Sequence, residues 1–165
     1  MNQLISKAQS LATKAHQGLT YGPDDRPYVW HLEKVASLAS RLGYQDEIIA
    51  ACWLHDIVED TSYTIADLEE DFPLLVTSAV YAVTYVEDSG KDKIQQAKSD
   101  ILGHVVKYCD ASVNFSASAL DGPKVGHTQW DVSVERYPKY LAELHDGLPT
   151  PDEVNKYLKQ HISEV

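Results

Sequence analysis

The sequence predicts a single all-α domain, and three observations carry that prediction. Apolar residues recur every three or four positions along most of the chain. Glycines and prolines cluster between those runs. No stretch alternates apolar and polar residues convincingly enough to read as a strand, and there is no internal repeat or low-complexity tract. With 165 residues the chain can bury a core without disulfides or a structural metal, so one domain over 1–165 is expected.

The elements follow in order. Leu4, Ile5, Ala8, Leu11, Ala12 and Ala15 mark an amphipathic helix over residues 2–16 that stops at Gly18. "GLTYGPDDRP" reads as a loop, with Pro27 suited to the first turn of the next helix. That helix carries Leu32, Val35, Ala36, Leu38, Ala39 and Leu42 and ends at Gly43. Asp46 begins a third, whose apolar side runs through Ile48, Ile49 and Cys52 to the residues around His55. Thr64 and Asp67 form an Asp version of the capping box and open a short helix to about Asp71. Pro73 separates it from a helix over Leu74 to about Tyr85, and "EDSGKD" makes a turn. Ile94 and Ala97 suggest a short helix, and Ile101 to about Ser118 a long one. "DGPKVGHTQWD" reads as a loop, after which Tyr137, Tyr140, Leu141 and Leu144 mark a helix that Pro138 starts or kinks. Thr150-Pro151-Asp152-Glu153 opens the last helix, with Thr as N-cap and Pro at the first helical position.

Composition narrows the function classes. A net charge of −11 argues against a nucleic-acid surface, which needs clustered Lys and Arg. Any anionic substrate must then be held by a metal or a few local cations. No apolar run is long enough to cross a membrane and the N-terminus lacks a signal-peptide core, so a cytoplasmic protein is expected. Cys52 and Cys109 lie in apolar segments and read as buried small hydrophobes, not a disulfide.

Three separated helices supply metal-type ligands: His31, the pair His55-Asp56, and Asp110. A helix bundle can gather such segments around one internal site. Two imidazoles and two carboxylates suit a divalent ion with open water positions better than a closed tetrahedral zinc site. Glu59 and Asp60 follow His55 and Asp56 by four, so on a continuous helix they project beside the ligands, where they can orient a water and move its proton. Asn114 follows Asp110 by four, placed to bond a substrate or to hold a ligand. Taken singly, each residue has an ordinary structural reading. The joint pattern is harder to dismiss, because Asp110 follows "HVVKYC", an apolar setting in which an unpaired carboxylate is costly.

"RPYVWHLEKVA", "AACWLHDIVEDT" and "VKYCDASVN", in that order and with the first two motif histidines 24 positions apart, resemble the HD-domain phosphohydrolases. The likeness is specifically to RelA/SpoT-type alarmone hydrolases and their small single-domain relatives. It covers a core of about 8–120; "RYPKYLAEL" looks like the family's following helix, and the C-terminal helices, about 131–164, are more divergent. The resemblance implies an HD-domain helical bundle with one metal, usually Mn²⁺, on His31, His55, Asp56 and Asp110. It implies Glu59 and Asp60 as the pair that activates and orients water, and Asn114 as a nucleotide contact. The implied reaction removes pyrophosphate from the 3′ position of guanosine tetraphosphate or pentaphosphate, giving GDP or GTP, with no synthetase half.

Departures fall on the substrate side. Alarmone hydrolases usually carry a basic pair in the loop between the first two helices, whereas this loop has Arg26 alone, with Tyr21 and Tyr28 as rings that can stack on a base. A hydrogen-bonding residue is usual seven positions after the late Asp; here it is Ala117. Lys107, in the VK pair, is a better phosphate contact than Lys91, Lys93 or Lys98. Two other readings stand beside the alarmone hydrolase: an HD phosphohydrolase acting on another nucleotide or phosphoester, and a nucleotide-sensing scaffold without turnover. The sequence leaves the oligomeric state open.

Overall fold

The computed structural model describes residues 2–85, 92–121 and 128–162. The expected turn at "EDSGKD" and the middle of the loop at "DGPKVGHTQWD" lie outside the described residues, apart from Asp92. Ten helices run α1 (Gln3–Ala15), α2 (Val29–Arg41), α3 (Asp46–Leu54), α4 (Ile57–Asp60), α5 (Ile65–Glu69), α6 (Leu74–Val83), α7 (Lys93–Lys98), α8 (Ile101–Asp121), α9 (Thr128–His145) and α10 (Pro151–Ile162) among the described residues.

The bundle is organised around α3, in which every residue from Ile48 to Leu54 is buried. A helix apolar on all sides must be covered on all sides, and α1, α2, α6 and α8 pack against it. α8 also packs on α2, α6, α7 and α9, so the two helices that carry the late and central site residues form the axis of the molecule. Cys52 and Cys109 are buried free thiols in this core.

Several ends form by the local chemistry read from the sequence. α2 stops in a Schellman turn, with Tyr44 N–H bonding Ala39 O at 3.1 Å and Gly43 N–H bonding Ser40 O at 3.0 Å. Gly43 holds φ +86°, which a Cβ would strain. Thr64 and Asp67 make the reciprocal capping box that opens α5. Thr150 and Glu153 do the same for α10, with the Glu153 carboxylate accepting from the Thr150 N–H and hydroxyl, each at 2.8 Å.

Four expectations need correction. The loop before α2 contains a two-stranded antiparallel hairpin, β1 (Thr20–Tyr21) with β2 (Arg26–Pro27). Its turn needs left-handed backbone, which Gly22 at φ +76° and Asp25 at φ +52° supply. Pro27 therefore ends a strand and does not open a helix. The third helix does not continue through His55: α3 ends at Leu54 and α4 restarts at Ile57. The His55 ring nitrogen Nδ1 takes the Cys52 carbonyl at 2.8 Å, which draws one of the last carbonyls of α3 into a side-chain bond. Finally, α8 extends to Asp121 and α9 already begins at Thr128, so Pro138 lies inside α9 and does not start it. Packing of α9 against α8 outweighs the cost of an internal proline.

Candidate metal centre

His31 projects inward from the first turn of α2, His55 and Asp56 from the break between α3 and α4, and Asp110 from the middle of α8. The break matters. It turns the backbone so that adjacent residues, His55 and Asp56, both reach one point, which an unbroken helix would separate by about 100° around its axis.

His31 Nε2 and His55 Nε2 lie 3.3 Å apart. Asp110 Oδ1 is 3.3 Å from the first and 3.6 Å from the second. Asp56 Oδ2 is 3.5 Å from His31 Nε2 and 2.9 Å from His55 Nε2. One donor atom each from His31, His55 and Asp110 falls within 4.8 Å of the others. Both imidazoles are about 2% exposed.

The electrostatics suit a cation. Burial alone would raise both carboxyls, but His55 and His31 hold Asp56 well below the usual range, and Lys107 with the two imidazoles does the same for Asp110. Burial would lower the imidazoles, and the two carboxylates raise them instead. The cluster thus attracts positive charge, which a divalent ion delivers without protonating the ring nitrogens that face it. His55 is prepared for that role, because its Nδ1–H donates to the Cys52 carbonyl and leaves the Nε2 lone pair directed at Asp56 and Asp110. The donor set fits a divalent metal.

A second layer fixes the carboxylates. Lys107 Nζ donates to Asp110 Oδ2 at 2.8 Å, and Asn114 Nδ2 donates to Oδ1. Asn114 in turn accepts from the Tyr21 hydroxyl at 2.7 Å. The Tyr28 hydroxyl donates to Asp56 Oδ2 at 2.8 Å. Burial and the neighbouring carboxylates push both tyrosine hydroxyls far above their ordinary range, so both remain donors. One face of each ring is already taken: Tyr21 stacks on His31 at 4.6 Å and Tyr28, which is half-buried, on His16 at 5.1 Å.

Glu59 and Asp60, on α4, sit at the exposed mouth of this site. Burial of part of each carboxyl raises both above their usual range, with the Asp56 charge adding to the rise. Glu59 Oε1 accepts from the Tyr85 N–H at 2.6 Å, which anchors that oxygen.

The remaining sequence candidates are not drawn in. Arg26 pairs with Asp24 at 2.7 Å and lies over the Trp30 ring at 4.5 Å. With Trp30, Lys34, Tyr108 and Ala117 it lines a cleft of about 430 Å³ that none of the four proposed ligands borders. Lys98 caps the end of α9 through the Glu143 and Asp146 carbonyls, each at 2.9 Å, and Lys93 rests on the Tyr85 ring. Lys91 lies outside the described residues. Two residues the sequence reading missed stand beside the site. Tyr137 of α9 lies within electrostatic reach of Asp110 and Lys107, and burial with the Asp110 charge pushes its hydroxyl up to about 12. His16 lies under Tyr28, four residues after Ala12 on the buried side of α1, a spacing that was the available signal.

Comparison with known proteins bears on the family and the fold. A guanosine-3′,5′-bis(diphosphate) 3′-pyrophosphohydrolase of Haemophilus influenzae is 35% identical over 77 residues, 47% of this chain and 11% of that protein. A GTP pyrophosphokinase of Streptomyces coelicolor is 34% identical over 95 residues, 58% of this chain and 11% of that protein. The bifunctional (p)ppGpp synthase/hydrolase SpoT of Escherichia coli is 31% identical over 83 residues, 50% of this chain and 12% of that protein. The chain thus spans only about a tenth of the length of these relatives. The solved structure of a metazoan SpoT ortholog that hydrolyses ppGpp superposes with a TM-score of 0.76 at 21% identity, covering 98% of this chain and 97% of that one, which establishes the shared fold. The HD domain family model matches residues 8–105, a segment that holds His31, His55 and Asp56, and on that match, in a bundle of the same fold, the chain belongs to the HD domain family.

Proposed function

We propose that this chain is a metal-dependent phosphohydrolase acting as one HD domain, and that it removes the 3′-pyrophosphate of guanosine tetraphosphate or pentaphosphate. The observation that carries the reading is the convergence of His31, His55, Asp56 and Asp110 from three separate regions, with Glu59 and Asp60 at the mouth. The names of the relatives support the substrate.

His31, His55, Asp56 and Asp110 would hold one divalent cation, Mn²⁺ in this reading. When bound, it supplies Lewis-acid stabilisation of charge on the phosphoryl oxygens. Glu59, with its carboxyl raised toward neutrality, is the general base, using the oxygen that Tyr85 does not hold. Asp60 orients the water. Water attacks the phosphorus bonded to the 3′ oxygen as Glu59 takes its proton, the P–O3′ bond breaks, and that proton passes to the departing 3′ oxygen as pyrophosphate is released. Lys107, bonded to Asp110, is the cationic charge assigned here to a phosphate oxygen. Asn114 holds the metal-facing oxygen of Asp110, and Tyr28 steadies Asp56.

A second reading keeps the chemistry and changes the substrate to another nucleotide or phosphoester. It is favoured by the loop at 18–27, whose one cation is engaged with Asp24 and Trp30. A panel of guanosine tetraphosphate, GTP, dGTP and simple phosphodiesters, each with Mn²⁺, separates the two. Pyrophosphate release confined to the alarmone supports the first reading; turnover elsewhere with none of the alarmone replaces it by the second.

A further inference from the structure

Glu59 is the base of the mechanism above, yet it is an exposed side chain on a helix of four residues. Rotatable bonds separate its oxygens from the backbone, so α4 alone does not fix where they point. The Tyr85 N–H does, donating to Oε1 at 2.6 Å. The orientation of the base therefore depends on what holds that N–H in place.

Tyr85 follows Thr84, the C-cap of α6, where the chain leaves the helix in extended geometry at φ −69° and ψ 120°. Gln96 of α7 reaches this point. Its Nε2 lies 2.8 Å from the Thr84 carbonyl oxygen, 3.1 Å from that of Ala82 and 3.3 Å from that of Tyr81. All three oxygens only accept, which sets the amide with its NH₂ group toward them. The Ala82 and Tyr81 contacts are those of any residue that closes a helix end. The Thr84 contact differs: it is the shortest, its oxygen lies beyond the helix, and that oxygen belongs to the same planar peptide as the Tyr85 N–H.

In a trans peptide the C=O and N–H point in opposite directions, so a bond to each pins the plane from both edges. Gln96 holds one edge and Glu59 takes the other. Donation to the carbonyl also polarises the peptide and strengthens its N–H as a donor. The same side of α7 braces the unit a second time, because Lys93, three residues before Gln96, places Nζ 3.7 Å from the centre of the Tyr85 ring.

We propose that Gln96 is a positioning residue for hydrolysis: acting through the single peptide between Thr84 and Tyr85, its side-chain amide fixes the Glu59 carboxylate in the orientation from which it takes the proton of the attacking water. The inference rests on the hydrolase reading, which assigns Glu59 its task.

Two variants test the relay. Gln96→Met keeps the length of the side chain and removes its N–H donors, whereas Gln96→Lys restores donors at a similar reach. With guanosine tetraphosphate and Mn²⁺, Gln96→Met should lose at least about tenfold in kcat while KM moves less than about threefold. Its metal stoichiometry should be unchanged, and its Tm should fall by no more than about 4 °C. Gln96→Lys should recover to within about threefold of the wild-type kcat. A wild-type kcat in Gln96→Met, equal loss in both variants, or a loss that follows metal content overturns the proposal. Crystal structures of the metal-loaded proteins give a readout independent of turnover. Wild type and Gln96→Lys should keep the bond from the Tyr85 N–H to Glu59, and Gln96→Met should lose it. A Glu59 carboxylate that stays in place in Gln96→Met overturns the proposal. A wild type silent on the whole substrate panel overturns the hydrolase reading, and the crystal structures alone then decide whether Gln96 sets the Glu59 carboxylate.

Discussion

Replacing Asn114 by Ala separates two roles that its position allows, holding the metal site or touching substrate. Its Nδ2 donates to Asp110 Oδ1, the oxygen that faces both imidazoles, while Lys107 holds the other oxygen. The substitution leaves Lys107 in place and frees the metal-facing oxygen to rotate. Loss of one hydrogen bond to a charged group is worth about 1.5–3 kcal/mol. Loss of a group that orients a metal ligand typically weakens metal binding by about 10–100-fold, or about 1.4–2.7 kcal/mol, which agrees with that range. Asn114→Ala also removes the acceptor of the Tyr21 hydroxyl, a part-buried neutral bond worth about 1 kcal/mol, or about 3 °C in Tm for a chain of this size. Isothermal titration of the apo protein with Mn²⁺ reads the first effect and a thermal melt the second. An Mn²⁺ Kd within about twofold of wild type, together with a large rise in KM, would refute this account and make Asn114 a substrate contact.

Asp56→Ala removes the carboxylate that reaches both imidazoles, at 3.5 Å and 2.9 Å, and should abolish stoichiometric metal retention by elemental analysis; full retention removes Asp56 from the ligand set. Gly103 lies where α6 crosses α8, and a Cβ there would stand 2.8 Å from Ala82 Cβ. Gly103→Val should therefore cost about 1–3 kcal/mol in denaturant unfolding, and an unchanged midpoint would mean that the helices separate freely. Glu153 is held below its ordinary pKa by the Thr150 N–H and hydroxyl. Its contribution is thus present above the ordinary glutamate range and lost as pH falls through the lower folded value. Glu153→Gln should lower Tm at neutral pH and converge with wild type in acid, whereas parallel curves would remove the carboxylate from the cap.

Most of the helices could be read from the sequence because their signals are local: the capping residues Thr64 and Thr150, the stop at Gly43, and the apolar spacing of α1 and α2. The interruption at His55-Asp56 could not, since it carries no glycine or proline and depends on the His55 ring taking the Cys52 carbonyl. The hairpin at Thr20–Tyr21 is two residues per strand, too short to show alternation. The metal-type residues were legible as chemistry that an apolar setting does not tolerate alone, Asp110 after "HVVKYC" above all. What surrounds them was less so. Tyr21 and Tyr28 looked like rings for a base, and the fold presses both against histidines. His16 and Tyr137 carried no motif, because their relevance comes from packing α1 and α9 against the site.

The central claim is that the buried His and Asp cluster serves water chemistry through Glu59. Its most direct test is pyrophosphate release from guanosine tetraphosphate by wild type and Glu59→Gln, both loaded to equal metal content. The account predicts turnover by wild type and a loss of about 10²-fold or more in the variant, with metal affinity unchanged. Equal rates in the two proteins would contradict it.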